Sequence, residues 1–256
     1  MSTPTRTRAR LAALLVVALA LPAAARAGNK ADAFEGKIQP ISGQLYRKAG
    51  RLELTALGAL SLNDAFYSKT FGGLQAAWHL TEFWSVGASF AGGGASPTGS
   101  TTVCPANLGC RPATAAELAQ LPGRLRTTAG LEVAWTPIYG KLNVLAERVA
   151  HFDLGLVAGA DWITHDAVLT TDEAVRQGLT PGRVSTVGGH AGLAVRLFLG
   201  EMVALRLVVK DLVYAVDVPN VQEAGAPRRD IQNQLFTELG VSVFFPFRPR
   251  AAGRTP

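Results

Sequence analysis

From about residue 50 to residue 247 apolar and polar positions alternate with a period of two, in eight separate stretches. The pattern predicts strands at Arg51 to Leu60, Thr70 to Leu80, Trp84 to Gly93, Arg126 to Pro137, His151 to Ile163, Val184 to Leu199, Met202 to Val216 and Gln234 to Phe245. In "MVALRLVVKDLVYAVD" the odd positions Val203, Leu205, Leu207 and Val209 form one apolar row, and Ala204, Arg206, Val208 and Lys210 form the other. One such strand fits either a protein core or a lipid bilayer as its apolar partner. Each stretch has the ~9–11 residues a tilted strand needs to cross a bilayer, and eight is an even number.

The connections alternate in length. Thr81 to Phe83 and Gly200 to Glu201 are short, whereas Gly94 to Leu125, Thr164 to Arg183 and Asp217 to Asn233 are long. Outer-membrane barrels have short periplasmic turns and longer external loops, so the alternation is the one a periplasmic N-terminus predicts. Two connections depart from it. Ser61 to Lys69 is modest for an external loop, and Ile138 to Ala150 is long for a turn. Within the latter, Leu142, Leu145 and Val149 share a helical face and predict a short interfacial helix.

Sorted by parity, the outward positions include Leu52, Leu54, Leu74, Val86, Phe90, Leu131, Val133, Leu154, Leu156, Leu193, Leu207 and Leu239. An aromatic girdle is expected from Trp78, Trp84, Trp135 and Phe152 near the periplasmic ends and Trp162 near the opposite rim. Inward fall Glu53, Thr55, Gln75, His79, Ser85, Ser89, Glu132, Asp161, His190, Arg196, Arg206, Lys210 and Glu238. Side chains fill the lumen of an eight-stranded barrel, so a charge network of Glu53, Glu132, Arg196, Arg206, Lys210 and Glu238 is expected, with Arg206 and Lys210 pairing to Glu53, Glu132 or Glu238. Asp211 falls on the outward row, which predicts a bulge or an exit from the membrane there. The fold class read from these patterns is all-β: an eight-stranded antiparallel transmembrane β-barrel, up-and-down, with an N-terminal signal peptide.

The start of the chain supplies the export signal. Arg6, Arg8 and Arg10 precede the apolar run Leu11 to Leu21, and Ala25-Arg26-Ala27 has the small residues a signal peptidase reads. Residues 1–27 carry four arginines and no acidic residue, so the formal charge of +6 falls to +2 without them. The basic balance is largely an export signal, and no basic face with interleaved aromatics suggests nucleic acid. The predicted organisation is residues 1–27 signal peptide, 28–50 periplasmic N-terminal segment, 51–247 barrel and 248–256 disordered basic tail. For residues 28–50 the pattern leaves three roles open: a periplasmic tether, a lumen plug or a partner-binding segment. Cys104 and Cys110, the only cysteines, lie in "TVCPANLGCRP" and predict a loop disulfide in an oxidising compartment.

No catalytic, cofactor or metal constellation emerges. A rim hydrolase would need His165 and Asp166 beside Ser185, and a lone His with a distant Ser is a weak signature. His79 and His190 are expected as lumen hydrogen-bonding groups, without a third convergent ligand for a metal. An open pore is disfavoured because eight strands leave no wide channel. A soluble secreted β-sandwich or lipocalin-like binder would bury the aliphatic face and have no need of aromatic rings at both strand ends. In the longest loop, Ala113 to Leu121 predicts a helix. The last strand runs into Phe245 and Phe247, the kind of ending that the barrel-assembly machinery reads.

"GRLELTALGALSLNDAFYSKTFGGLQAAWHLTEFWSVGASFAGG", "PIYGKLNVL…HFDLGLVAGA" and "ALRLVVKDLVYAV" together resemble an outer-membrane β-barrel domain family common in myxobacteria and related bacteria, over about residues 38–247. The resemblance implies location and fold without a general activity. Some members of that family belong to envelope-spanning machines, including gliding-motility complexes with periplasmic repeat proteins. The Cys-bearing loop and the Arg-rich tail depart from the family's pattern. The expectation is therefore a non-enzymatic barrel in the outer membrane, in contact with its lipid, acting as a structural anchor or component of an envelope complex with periplasmic or outer-membrane protein partners. The alternatives are a small pore or transport barrel, an outer-membrane hydrolase and the soluble binder.

Overall fold

The alternating stretches form strands because each can turn one row of side chains to an apolar surrounding and the other to a polar one. The computed structural model describes residues 45–64, 66–99, 101–104, 109–144, 148–170, 181–219 and 227–246. Its elements are β1 (Leu52–Ser61), β2 (Tyr67–His79), β3 (Trp84–Pro97), β4 (Thr102–Val103), β5 (Arg111–Pro112), α1 (Ala115–Leu118), β6 (Leu125–Val144), β7 (Arg148–Asp166), β8 (Arg183–Phe198), β9 (Val203–Val218) and β10 (Arg228–Phe245). Eight strands close into a barrel in the order β1-β10-β9-β8-β7-β6-β3-β2, while β4 and β5 form a separate small hairpin. Every pairing in the ring is antiparallel, and β1 pairs with both β2 and β10. The fold is thus an all-β, up-and-down, eight-stranded antiparallel barrel. Among the described residues no helix is long and apolar enough to cross a membrane.

The chain divides into units at Leu45 and Tyr46. Of the first unit only Leu45 is described, so the signal peptide at 1–27 and residues 28–44 lie outside the described residues, as do Phe247 and the tail at 248–256. The second unit begins at Tyr46, ahead of the Arg51 boundary suggested by the strand pattern.

Two short turns mark one end of the barrel. Between β2 and β3 the Thr81 hydroxyl accepts from the Phe83 and Trp84 amides at 3.1 and 2.9 Å, a side-chain device that fixes a tight turn. Between β8 and β9 the Leu199 amide donates to Val203 O at 3.0 Å.

The structure corrects the expected helix after Ile138. Strand β6 continues to Val144, and β7 starts at Arg148, with Lys141 opposite His151 and Leu142 opposite Ala150. A register shift between Trp135 and Ile138 adds one residue to β6, beside Pro137, which has no amide hydrogen for a ladder and suits a bulge. The shift exchanges the parity, so that Ile138 and Leu142 continue the outward row of Leu131, Val133 and Trp135. The result is a two-stranded ribbon extending past the short turns.

Of the two devices expected at Asp211, a bulge or an exit from the membrane, the bulge is absent. The β9–β10 register runs unbroken past Asp211, so no bulge re-aims the side chain. It stays on the outward parity, where Asn233 Nδ2 donates to Asp211 Oδ2 at 2.6 Å, and Asn63 Nδ2 donates to Asn233 Oδ1 at 3.1 Å.

At the opposite end, the long connection after β3 carries the β4–β5 hairpin, which a Cys104–Cys110 disulfide joins. The helix expected over Ala113 to Leu121 is a single turn, α1, with Thr114 as N-cap and Glu117 completing a capping box.

Candidate functional site: a filled lumen inside an apolar outer face

The distribution of side chains is inverted with respect to a soluble domain. Large apolar groups stand on the outer face, including Leu131 at 69% exposure, Phe90 at 59% and Leu239 at 60%, together with Leu74, Leu156, Leu193 and Val187. Trp84 and Trp135 face each other in register and stack at 6.1 Å on that face, with Trp78 also exposed near the short-turn end. Phe152 is half-buried at the same end, and Trp162 stands exposed further toward the loops, between Ala129 and Val187. A continuous apolar surface of this kind requires a non-aqueous cover.

The interior holds the charges. Arg196 on β8 grips Glu53 on β1 through Nη2 to Oε2 at 2.8 Å and Nε to Oε1 at 3.1 Å, and reaches Asp153 on β7 through Nη1 at 2.8 Å. His79 Nε2 lies 2.8 Å from Glu53 Oε2. Lys48, only 1% exposed, enters from the short-turn end and donates its ammonium to Asp153 Oδ2 at 2.5 Å and to Thr136 Oγ1 at 2.9 Å. Each carboxylate here meets donors from at least two strands or segments, the condition under which a buried ion pair is tolerated.

A second group sits nearer mid-barrel. Arg206 Nη2 donates to Glu132 Oε1 at 2.6 Å, and Gln75 Nε2 donates to the same oxygen at 2.9 Å. His190 joins Asp161 through Nδ1 at 2.5 Å and brings Nε2 within 3.4 Å of Glu132 Oε2. Lys210 and Glu238 meet at 2.9 Å. Room for the His190 ring comes from Gly159 on the neighbouring strand, where a Cβ would lie 2.6 Å from His190 Cε1.

Toward the loops the lumen becomes apolar. Phe71, Phe236, Leu212, Ile163, Leu125 and Val216 form one buried cluster. Between this cluster and the charges remains a cavity of about 20 Å³ lined in part by Asp161, Lys210, Glu238 and Phe71, enough for about one water. The lumen is a packed interior.

Described side chains crowd both mouths. At the short-turn end Tyr46 stacks on Phe198 at 5.2 Å and meets His151 edge-on at 5.1 Å. Arg51 there donates to the carbonyls of Arg47, Glu201, Phe244 and Pro246. At the loop end Lys69 is buried between Asp64 and Gln234. Tyr67 donates its hydroxyl to Leu118 O at 2.7 Å, tying the long loop to the wall. In that loop Arg111 makes a two-point bond to Glu117 at 2.8 and 2.9 Å. This pairing, with the Thr114 amide and hydroxyl, holds the Glu117 carboxyl down at about 2.

The residues considered for rim hydrolysis do not assemble. His165 is buried and its Nδ1 donates to Asp166 O at 2.9 Å, while Asp166 is held by Arg126 at 2.7 and 2.8 Å. Ser185 is exposed and opposite Thr164, one residue out of parity with His165, so the two side chains leave opposite faces of the sheet. Among the described residues no group of His, Cys, Asp and Glu could hold a metal ion.

Sequence reasoning missed Lys48, Arg51, Asp153 and Lys69. Asp153 was legible, since it lies between the outward Phe152 and Leu154. Lys48 carries no local signal, because it precedes the first alternating stretch.

No protein-family model matches the chain, and no curated protein matches it significantly in sequence. Among solved structures it is similar to the N-terminal β-barrel domain of Pseudomonas aeruginosa OprF, at TM-score 0.46 and 10% identity over 77% of this chain and 98% of that one. It is also similar to the outer membrane protein OprG from Pseudomonas aeruginosa, at TM-score 0.40 and 13% identity over 78% and 98%. A third is Ail, the attachment invasion locus protein of Yersinia pestis, at TM-score 0.35 and 10% identity over 77% and 99%. The barrel assignment itself rests on the strand order and pairing of this chain.

Proposed function

We propose that this chain is a non-enzymatic barrel of the bacterial outer membrane, serving as a structural anchor or component of an envelope-spanning complex. The observation that carries the reading is the inversion itself: a largely apolar outer face around a lumen filled with ion pairs. Lipid is the cover that suits such a face around a whole ring, and a closed antiparallel barrel leaves no unpaired edge within the hydrocarbon. The filled lumen speaks against solute passage. What remains available for function is the surface beyond the membrane at either end. The short turns face the periplasm in this reading, and export by residues 1–27 with insertion by the barrel-assembly machinery is its route. The resemblance to barrels of envelope machines makes such complexes, gliding-motility complexes included, the first to test.

The experiment is fractionation of the mature protein, followed by electrophoresis in SDS with and without boiling. Recovery with outer membranes and a heat-dependent change in mobility are expected, because closed barrels resist SDS until heated. Release by osmotic shock with a single mobility would refute the membrane assignment. In planar bilayers the purified barrel should give no steady conductance.

A further inference from the structure

The chain ahead of β1 is held more firmly than the entry into a first strand requires. Segments flanking a fold are poorly ordered unless something ties them down, and residues 46–51 are tied on several sides at once. The Lys48 ammonium reaches Asp153 on β7 at 2.5 Å and Thr136 on β6 at 2.9 Å. In the β2–β3 turn the Glu82 carboxylate accepts from the Lys48 and Ala49 amides at 2.9 and 3.4 Å. Tyr46 stacks on Phe198 of β8, and the Gly50 amide donates to His79 O on β2 at 2.8 Å.

Arg51 completes the pattern. Its guanidinium donates to Glu201 O in the β8–β9 turn at 2.8 Å and to Pro246 O past the end of β10 at 3.1 Å. The start and the end of the wall thus meet on one side chain. The segment as a whole touches β2, β6, β7, β8 and the close of β10, so a pull on the chain at Tyr46 is passed to the ring and not to β1 alone.

The lysine decides what kind of hold this is. A buried ion pair gains little net stability over an apolar filler of similar volume, so stability alone does not call for Lys48, which is 1% exposed. What the pair adds is resistance to displacement. Its attraction is strong in the dry interior and drops once water enters, so drawing the ammonium outward strips it of both acceptors over a short distance. Apolar contacts are non-directional and yield gradually.

The barrel unit starts at Tyr46, so residues 46–51 are where the chain from the N-terminal side joins the wall. We infer that residues 46–51 are a mechanical mooring that passes tension arriving along the N-terminal segment to the barrel. Of the roles left open for residues 28–50, these contacts serve the tether. The inference rests on the anchor reading proposed above and names the route by which the periplasmic side of a complex holds the barrel.

The test is single-molecule pulling of the mature protein in lipid bilayers, from its N-terminal end on the short-turn side. The expected record opens with a separate rupture that frees only residues 46–51, ahead of the ruptures that extract strands. Lys48→Met should abolish that first rupture and keep the later ones, while Lys69→Met, which removes the buried lysine of the other mouth, should leave it unchanged. A record without a first rupture, or with one that Lys48→Met does not alter, would overturn the inference, because the segment would then be filling alone. Should Lys48→Met lose the heat-dependent mobility, Glu82→Gln makes the same comparison through the Lys48 and Ala49 amides and should lower the force of the first rupture. In native outer membranes, cutting the chain at a protease site inserted ahead of Tyr46 should speed the lateral diffusion of the barrel, and unchanged diffusion would overturn the inference too. Absence of the heat-dependent mobility in the unaltered protein would reject the membrane reading instead, so the two failures are distinguishable.

Discussion

Arg196 and Glu53 meet across the lumen from strands that are not neighbours, β8 and β1, with β9 and β10 between them in the ring. Their two-point contact ties opposite parts of the wall. Removing Glu53 leaves Arg196 sharing the single carboxylate of Asp153 with Lys48, a buried imbalance of charge that costs less than the about 3–5 kcal/mol of a fully unpaired ion. Glu53→Gln should therefore lower the temperature at which the barrel loses its compact mobility in SDS. A double replacement of the pair by apolar residues of similar volume should cost less than the single change. A Glu53→Gln barrel with unchanged melting would mean that the network does not hold the wall together.

Gly159 faces the His190 ring so closely that a methyl group cannot enter without moving it, and the Leu131 carbonyl closes the other side. Gly159→Ala should destabilise by about 1–3 kcal/mol, the usual cost of overpacking. Gly182, with open space around its Cβ position, is the control site, where Ala should leave unfolding in denaturant unaltered.

The outer face can be interrogated directly. Leu131 is 69% exposed in the middle of its outward row. If that row is covered by hydrocarbon, Leu131→Arg should cost about 2–4 kcal/mol on folding into lipid bilayers. A surface Leu→Arg change in a water-exposed row would be close to neutral, and a neutral result here would mean water covers this face.

The loop beyond β5 has its own pH dependence. Glu117 titrates at about 2 in the folded loop because Arg111 and Thr114 stabilise its ionised form, against an ordinary value of 4.5. A carboxyl with a depressed folded pKa stabilises fully above its unfolded value, and that contribution fades as pH falls from about 4.5 through about 2. Exchange of the α1 amides should accelerate across this window, while the barrel amides remain protected. Glu117→Gln should make α1 exchange independent of pH there, once intrinsic exchange is allowed for.

The parity of single residues made much of this legible. Leu52, Leu54, Glu53 and Thr55 sort to opposite faces on alternation alone, and the same rule brings Glu132, Arg206, Lys210 and Glu238 inward. Which of them pair is a different matter. Arg206 takes Glu132 and Lys210 takes Glu238, leaving Glu53 to Arg196, and this choice depends on the stagger of strands around the ring. No local pattern encodes that stagger. The ribbon was hidden for another reason: Leu142, Leu145 and Val149 satisfy a helical spacing, and the shift of parity at Pro137 concealed the continuing strand. Of the bulge or membrane exit expected at Asp211, the bulge is absent, and the side chains of Asn233 and Asn63 accommodate the carboxylate where it stands.

The closure between β1 and β10 carries a consequence for how the molecule is made. Arg51, just ahead of the first strand, binds the carbonyl of Pro246, 195 residues later and just past the end of the last strand. Contacts of such separation form late, after the intervening chain has already lost much of its freedom. Until β10 arrives, Glu53 and Lys210 stand beside a gap, and β1 and β9 both present raw edges. A polypeptide ending before Arg228 therefore contains most of the wall and most of the buried charges, yet cannot become a smaller version of the same barrel. Its final strand decides whether all the preceding ones are a protein or an aggregate.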